Sequence, residues 1–337
     1  MRIAVDAMGG DAAPSVVVEG AVYASRFLKQ HKVILVGDEE QIRRLFQMFG
    51  GGLGLDVVHA PEVISMEDSP IGAIRRKRNS SVCVAAELVH EGKADAMVSA
   101  GSTGAAVAAS CLTFGYLPGI RRAGIAAPLP TRTGGVCVLV DAGANMAPTP
   151  LHLLQYATMA SVYCRAAFDI RSPRVGVLNV GEEDVKGNSL AREANVLFKE
   201  TNLNFAGNVE GRDIFEGTCD IVVCDGFVGN VLLKAAEGLA ETMLHLIGSE
   251  LRRTIRRRVG AVLCKTAFRR VKSRMDCSEY GGAPLLGVNG VSIISHGGAN
   301  ARAIFNGIRV AARLAEMDLN KRIIEEVEAS VKEGSGY

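Results

Sequence analysis

The chain contains no tryptophan, and phenylalanine and tyrosine together bring the aromatics to only 5%. That is thin material for the stacking platforms with which proteins hold single-stranded nucleic acid. The eight cysteines (Cys83, Cys111, Cys137, Cys164, Cys219, Cys224, Cys264 and Cys277) form no CxxC pair, and most lie inside apolar strings. They are expected to be reduced, mostly buried thiols of a cytoplasmic protein. The six histidines show no HxH or HxxxH spacing, so no metal site is expected. No apolar run reaches the roughly 18 residues of a membrane span. Met1-Arg2-Ile3-Ala4-Val5-Asp6 enters a strand directly, without a charged-then-apolar leader. A GxGxxG dinucleotide fingerprint, an internal repeat and a low-complexity linker are also missing.

What is present is a chain of 337 residues, 48% hydrophobic, with 38 glycines. This is enough to bury a large core and to close many tight strand-to-helix turns. The formal charge of +2 hides an asymmetry. Residues 251–275 carry ten Lys or Arg and no acid, which leaves the other 312 residues at −8. An acidic body therefore bears one strongly basic element.

Apolar runs at 2–6, 33–36, 55–58, 95–98, 123–127, 135–140, 174–178, 204–208, 220–224 and 290–294 predict strands. Between them, 15–30, 39–48, 80–91, 103–113, 150–168, 188–200, 228–247, 251–273, 298–317 and 320–333 predict helices. Near-continuous apolar strands alternating with helices predict an α/β fold, with a mainly parallel sheet covered on both faces. No linker divides it, so 1–337 is expected to be a single α/β domain, with 244–275 as a protruding helical element.

The polar residues collect where the apolar runs stop, the place where open α/β sheets bind ligands. Asp6-Ala7-Met8-Gly9-Gly10-Asp11 follows the first strand, and Ser99-Ala100-Gly101-Ser102-Thr103-Gly104 follows another. Gly9, Gly10, Gly101 and Gly104 would let the backbone approach an anion, which the N–H groups of the next helix can hold. Asp6 and Asp11 equally suit an ordinary turn at a helix start, and Ser102 or Thr103 an N-cap. Asp141-Ala142-Gly143-Ala144-Asn145 repeats the arrangement, and here too side chains bracing a buried turn are the plainer role. Asn179-Val180-Gly181-Glu182-Glu183-Asp184-Val185-Lys186-Gly187-Asn188 and Asp225-Gly226-Phe227-Val228-Gly229-Asn230 complete the set. They lie about 45 residues apart, a spacing that suits two strands of one sheet. Lys186, alone among acids and glycines, could meet a bound anion or simply face solvent. Asn230 could face a ligand or cap a helix. Of the histidines, only His296, in Ser295-His296-Gly297-Gly298-Ala299-Asn300, stands in such a loop.

In the basic element Leu244, Ile247, Leu251, Ile255, Val259 and Val262 recur at helical spacing, with Arg252, Arg253, Arg256 and Arg257 opposite. A protruding basic amphipathic helical hairpin of this kind suits an anionic membrane interface or an acidic protein. Nucleic acid fits poorly, because the rest of the body is acidic and poor in aromatics.

Taken together, DAMGGD at 6–11, SAGSTGA at 99–105, DAGAN at 141–145, NVGEEDVKGN at 179–188, GNVEGRDI at 207–214, DGFVGNV at 225–231, YGGAPLLGVNG at 280–290 and SHGGAN at 295–300 resemble the bacterial phosphate acyltransferases of phospholipid synthesis, end to end. Ser102 departs from the asparagine expected in that family. The resemblance implies a homodimeric three-layer α/β/α fold related to phosphotransacetylase and isocitrate dehydrogenase. It implies transfer of a long acyl chain from acyl carrier protein to inorganic phosphate without a cofactor. The acyl phosphate would feed a membrane glycerol-3-phosphate acyltransferase, and the enzyme would sit peripherally on the membrane. On this basis Lys186 and Asn230 are the expected catalytic pair. Phosphate or the thioester arm would be held by Asp6, Gly9, Gly10, Asp11, Ser99, Gly101, Ser102, Thr103, Gly104, Asp141, Gly143, Asn145, Asn188, Gly229 and His296. Leu251, Arg252, Arg253, Ile255, Arg256, Arg257, Val259 and Val262 would dock carrier or membrane. The alternatives are a phosphotransacetylase-like enzyme for short acyl-coenzyme A and a membrane-bound scaffold without catalysis. A metal-dependent dehydrogenase would need a carboxylate cluster and a nucleotide site, and neither is visible.

Overall fold

The computed structural model describes residues 1–50, 54–275 and 280–332. In chain order the elements are β1 (Arg2–Asp6), α1 (Ser15–Phe27), β2 (Lys32–Gly37), α2 (Glu39–Met48), β3 (Leu55–His59), α3 (Pro70–Arg76), α4 (Ser81–His90), β4 (Ala96–Ser99) and α5 (Thr103–Phe114). There follow β5 (Gly124–Ile125), β6 (Ala127–Pro130), β7 (Val136–Val140), α6 (Pro150–Phe168), β8 (Val175–Leu178), α7 (Ser189–Lys199), β9 (Phe205–Val209), α8 (Gly211–Glu216) and β10 (Ile221–Val223). The last are α9 (Gly226–Arg252), α10 (Ile255–Leu263), α11 (Lys265–Met275), β11 (Ala283–Leu286), β12 (Val291–Ile294), α12 (Ala301–Glu316) and α13 (Leu319–Lys332). Cys277 and residue 333 lie outside the described residues.

The strands form two sheets, ordered β3-β2-β1-β4-β12-β11-β5 and β6-β7-β10-β8-β9. Pairing is parallel except between β11 and β12, β11 and β5, and β6 and β7. The central strands β1, β4, β7 and β10 are apolar on both sides because helices cover both faces, whereas the edge strand β3 carries exposed Asp56. Along β1, Ile3 and Val5 pack in one core with α1 and α12, whereas Ala4 points into a second core with α4 and α5. In the smaller sheet Val138, Val140, Val175, Val177, Ile221 and Val223 face α6 and α7 in the first of these cores. Leu139, Val222 and Cys224 face α8 and the start of α9. The result is a three-layer α/β/α architecture in which one core runs beneath both sheets.

Local chemistry sets the helix ends. Asp38 caps α2 by accepting from the Gln41 N–H at 3.0 Å, with Glu39 and Glu40 in the first turn. Thr149 precedes Pro150 at the start of α6, and its N–H donates to His152 Nδ1 at 3.0 Å. Asp225 caps α9 through the Val228 N–H at 2.9 Å, so this helix begins two residues before the expected position 228.

Three expectations change. The run 123–127 is divided between the sheets, with Ala126 as the crossing point and its N–H donating to Pro284 O at 3.0 Å. The single helix expected over 251–273 is broken at Arg253 and Thr254 and again at Cys264. Thr254 has an extended backbone and caps α10 by accepting from the Arg257 N–H, so the apolar positions from Leu244 to Val262 lie on two helices. α3, α8 and β11 are elements the periodicity did not predict. From α9 onwards the helical element is exposed: α10 has no buried residue, and Ile255 is 78% and Leu263 82% exposed. Among the described residues no helix is long and apolar enough to cross a membrane.

Candidate active site

The polar loops meet at the carboxyl ends of adjacent parallel strands and form two clusters. The first follows β1, β4 and β12, neighbours in the larger sheet. Asp6 ends β1 and is buried. Its Oδ2 accepts from Ser99 Oγ at 2.7 Å, and its Oδ1 from the Met8 N–H at 3.3 Å. Burial raises its pKa above the ordinary carboxylate value, opposed by hydrogen bonds from Ser81 and Ser99. Gly101 N–H donates back to Ser99 Oγ at 3.2 Å. A side chain at Gly9 would lie 2.5 Å from Asp6 Oδ2 and 2.7 Å from Gly101 N, so these two loops need glycine in order to touch. The third loop joins them through Ser295 N–H to Ser99 O at 2.8 Å and Asp11 N–H to Gly297 O at 2.9 Å. Beneath lies a small pocket lined by Asp6, Gly9, Ser81, Ser99, Gly101 and Ser102. Ser102 occupies the N-cap position of α5 without a capping bond, so its hydroxyl is free for a ligand. Thr103 is exposed beside it, and Gly104 abuts Pro70 of α3.

The second cluster follows β7, β10 and β8, neighbours in the smaller sheet. Asp141 is fully buried. Its Oδ1 accepts from the N–H groups of Ile125, Gly143 and Ala144 at 2.9, 3.1 and 2.9 Å. Its Oδ2 accepts from Asn145 N–H at 2.6 Å. Burial again raises the pKa, opposed by these N–H groups. Asn145 is committed as well, its Nδ2 donating to Ala123 O at 2.5 Å and Tyr156 Oη at 2.8 Å. Asp141 and Asn145 thus shape the loop and tie the smaller sheet to β5 of the larger one. The first turn of α9 presses on this loop: a side chain at Gly229 would lie 2.0 Å from Asp141 O. A side chain at Gly143 would lie 3.4 Å from Asn230 Cβ. Because Asp225 is the cap, Asn230 sits inside the helix and is exposed, with its amide spared from capping.

The 179–188 loop is braced from within. Asn188 caps α7 through the Ala191 N–H at 2.9 Å, Lys199 pairs with Asp184 at 2.7 Å, and Arg192 donates to Gly187 O at 2.9 Å. Lys186 is half exposed, with its ammonium 3.8 Å from Glu183. Among the described residues no hydrogen bond or ion pair joins Lys186 to Asn230. They share the carboxyl end of one sheet, with β8 and β10 paired as the 45-residue spacing suggested.

α9 connects the clusters. Asn230, Lys234 and Glu237 recur at i, i+4 and i+7 and share a helix face. Lys234 pairs with Glu237 at 2.9 Å, and Glu237 lies 3.7 Å from His296 Nε2 in the first cluster. From Asn230 to Glu237 is about two turns, or roughly 10 Å. Both clusters therefore border one helix. Sequence inspection missed Lys234 and Glu237, although the 3.6-residue period from Asn230 would have found them. It also missed Ser81, which follows Ser80 at the start of α4. Among the described residues no group of three His, Cys, Asp or Glu is placed to hold a metal ion.

This architecture defines a three-layer α/β protein of the phosphotransacetylase type. A phosphotransacetylase from Streptococcus pyogenes superimposes with a TM-score of 0.63 at 19% identity, over 94% of both chains. A branched-chain phosphotransacylase from Enterococcus faecalis gives 0.56 at 16% identity, over 94% of this chain and 99% of that one. At such identities the likeness concerns the fold. The chain belongs to the family described as fatty acid synthesis protein, which it matches over residues 1–322. It is 49% identical to the phosphate acyltransferase of Pelotomaculum thermopropionicum over 98% of this chain and 95% of that one. Identity is also 49% to that of Desulforamulus reducens, over 97% and 98%.

Proposed function

We propose that this protein transfers a long fatty acyl group from acyl carrier protein to inorganic phosphate, giving acyl phosphate for phospholipid synthesis. The observation that carries the proposal is the 49% identity to phosphate acyltransferases along 97–98% of the chain. The chemistry suits the site. A phosphate oxygen forms a bond to the thioester carbon, the carbon–sulfur bond breaks, and the sulfur leaves as a thiolate that takes a proton from solvent. A thiol with a pKa of about 8.5 is a good leaving group, and phosphate is already anionic, so neither a strong acid nor a strong base is needed. The remaining work is to align phosphate with the thioester and to stabilise the tetrahedral oxyanion. The glycine loops around Gly9 and Gly101, with the free Ser102 hydroxyl, seat the anion. Asn230 and Lys186 stabilise developing charge.

The product supplies a membrane glycerol-3-phosphate acyltransferase, and the enzyme docks peripherally on anionic membrane. Support for docking comes from α10, where exposed Ile255, Val259 and Val262 alternate with arginines. The apolar side chains exposed along α9, among them Leu239, Met243 and Leu246, support a homodimer as the working unit.

The test is to incubate the protein with palmitoyl-[acyl carrier protein] and phosphate and to trap acyl phosphate with hydroxylamine. Phosphate-dependent hydroxamate is expected, and Lys186→Ala should lower turnover by about 100-fold or more. Product from acetyl-coenzyme A alone would mean a short-chain enzyme, and full turnover by Lys186→Ala would remove the lysine from the mechanism. For the membrane, Ile255→Ser with Val259→Ser and Val262→Ser should release the protein from anionic vesicles while soluble turnover stays intact. Retention on the vesicles would count against α10 as the contact.

A further inference from the structure

The segment between β3 and α4 leans over the first cluster. Val63 and Ile64 line its pocket, a side chain at Gly297 would lie 2.9 Å from Met66 Cε, and one at Gly104 would lie 2.7 Å from Pro70 Cγ. The segment ends in Arg75-Arg76-Lys77-Arg78. Lys77 is used internally, donating to Val63 O at 2.9 Å and pairing with Asp68 at 2.7 Å. Arg75, Arg76 and Arg78 are exposed, and among the described residues none of them has an ion pair. Of the acids in this segment, Asp68 is engaged by Lys77 and Glu62 by the Asn79 N–H at 3.0 Å. Ile71, one turn before Arg75 on α3, is 57% exposed. An apolar side chain flanked by unpaired arginines is the composition of a protein-docking hot spot for an acidic surface.

The basic helices α10 and α11 also carry cations without an ion pair, Arg256, Arg269 and Arg270 among the described residues, but part of their charge is used locally. Arg253 and Arg257 pair with Glu250, and Arg258 donates to Arg252 O at 2.9 Å. Their neighbours are a continuous series of exposed aliphatic side chains, which suits lipid. The arginines at the end of α3 thus belong to the segment that packs on the site loops through Val63, Ile64, Met66 and Pro70, whereas α10 buries no residue.

We propose that Arg75, Arg76 and Arg78, with Ile71, form the docking surface for the acidic carrier protein that delivers the acyl thioester. This rests on the donor assignment made above. It divides the labour between two basic surfaces, with α3 receiving the carrier beside the site and α10 meeting the membrane. A carrier seated on α3 has its thioester arm over Gly104 and Ser102, at the mouth of the first cluster.

The experiment compares wild type with Arg75→Glu/Arg76→Glu/Arg78→Glu, using palmitoyl-[acyl carrier protein] and the uncharged thioester palmitoyl-pantetheine. The variant should raise KM for the carrier thioester about tenfold or more, with kcat unchanged. Turnover of palmitoyl-pantetheine should not change, and the rise of carrier KM with salt seen in wild type should flatten. Glutamine at the three positions should give an intermediate shift. An unchanged carrier KM would overturn the proposal, and so would an equal loss on both thioesters, which marks damage to the fold or the site. Wild type that turns over palmitoyl-pantetheine but not the carrier thioester would instead overturn the donor assignment itself.

Discussion

Asp6 and Asp141 stand at equivalent places in the two sheets, each at the carboxyl end of a parallel strand, each buried and each followed by alanine and a glycine loop. They are held in different ways. Asp141 accepts from four backbone N–H groups and sits at the joint between the sheets, where Ile125, Asn145 and the first turn of α9 converge. Asp6 depends on the N–H groups of Met8 and Gly9 and on the hydroxyls of Ser81 and Ser99, Ser99 Oγ being the closest at 2.7 Å. Backbone donors cannot turn, whereas a hydroxyl can rotate and can accept as well as donate. The Asp141 cluster is therefore a fixed joint and the Asp6 cluster an adjustable cradle. An anion site that must admit, react and release belongs beside the cradle, with the joint holding Asn230 at a constant position.

Glycine substitutions sharpen this contrast most. At Gly229 a Cβ would lie 2.0 Å from Asp141 O, a backbone atom that cannot give way without moving the joint. Gly229→Ala should cost about 3 kcal/mol or more of stability. At Gly101 the nearest atom would be Gly9 Cα at 3.3 Å, then Ser99 Oγ at 3.4 Å. Gly101→Ala should cost under about 1 kcal/mol, because the loops of the cradle can part slightly, while phosphate affinity falls. Urea unfolding of both variants with phosphate titrations reads the two effects apart. Equal stability losses would erase the distinction between joint and cradle.

Much of this was legible in the sequence because the strands are nearly continuous apolar runs that stop at acids. Asp6, Ser99, Asp141 and Asp225 lie at or within two residues of strand ends, and Lys186 lies in the loop after β8, so the loops could be found without coordinates. The division of 123–127 was not legible, because Ala126 is as apolar as its neighbours and only tertiary pairing sends β5 and β6 to different sheets. α3 was missed because seven residues carry too little periodicity, although Ser69 and Pro70 at its start are a valid signal. The break at Thr254 was hidden by apolar spacing that continues across it. The individual role of Asp141 was also out of reach: an acid in a glycine turn looks the same whether it faces ligand or its own backbone.

The aspartates give the finer test. Asp141→Asn keeps the shape but places an NH2 against N–H groups that have no other acceptor, and should cost about 2–3 kcal/mol. Asp6→Asn should cost about 1 kcal/mol, since Ser99 Oγ can turn and accept from the new amide. The smallest effect is the pH dependence of these costs. Burial holds both carboxyls above the ordinary value of 3.8. Between that value and the folded one, the native state keeps a proton that the unfolded chain has released. Wild-type stability contributed by each group therefore falls as pH rises through that window, by about 1.4 kcal/mol per unit of elevation. The asparagine variants do not titrate there, so the cost of each substitution should shrink as pH rises above 3.8, read by urea unfolding at each pH. A cost that grew with pH at Asp141 but shrank at Asp6 would show that four fixed N–H groups outweigh burial at the joint while burial wins in the cradle. That outcome would reverse the direction assigned to Asp141 and make the contrast between the two clusters sharper still.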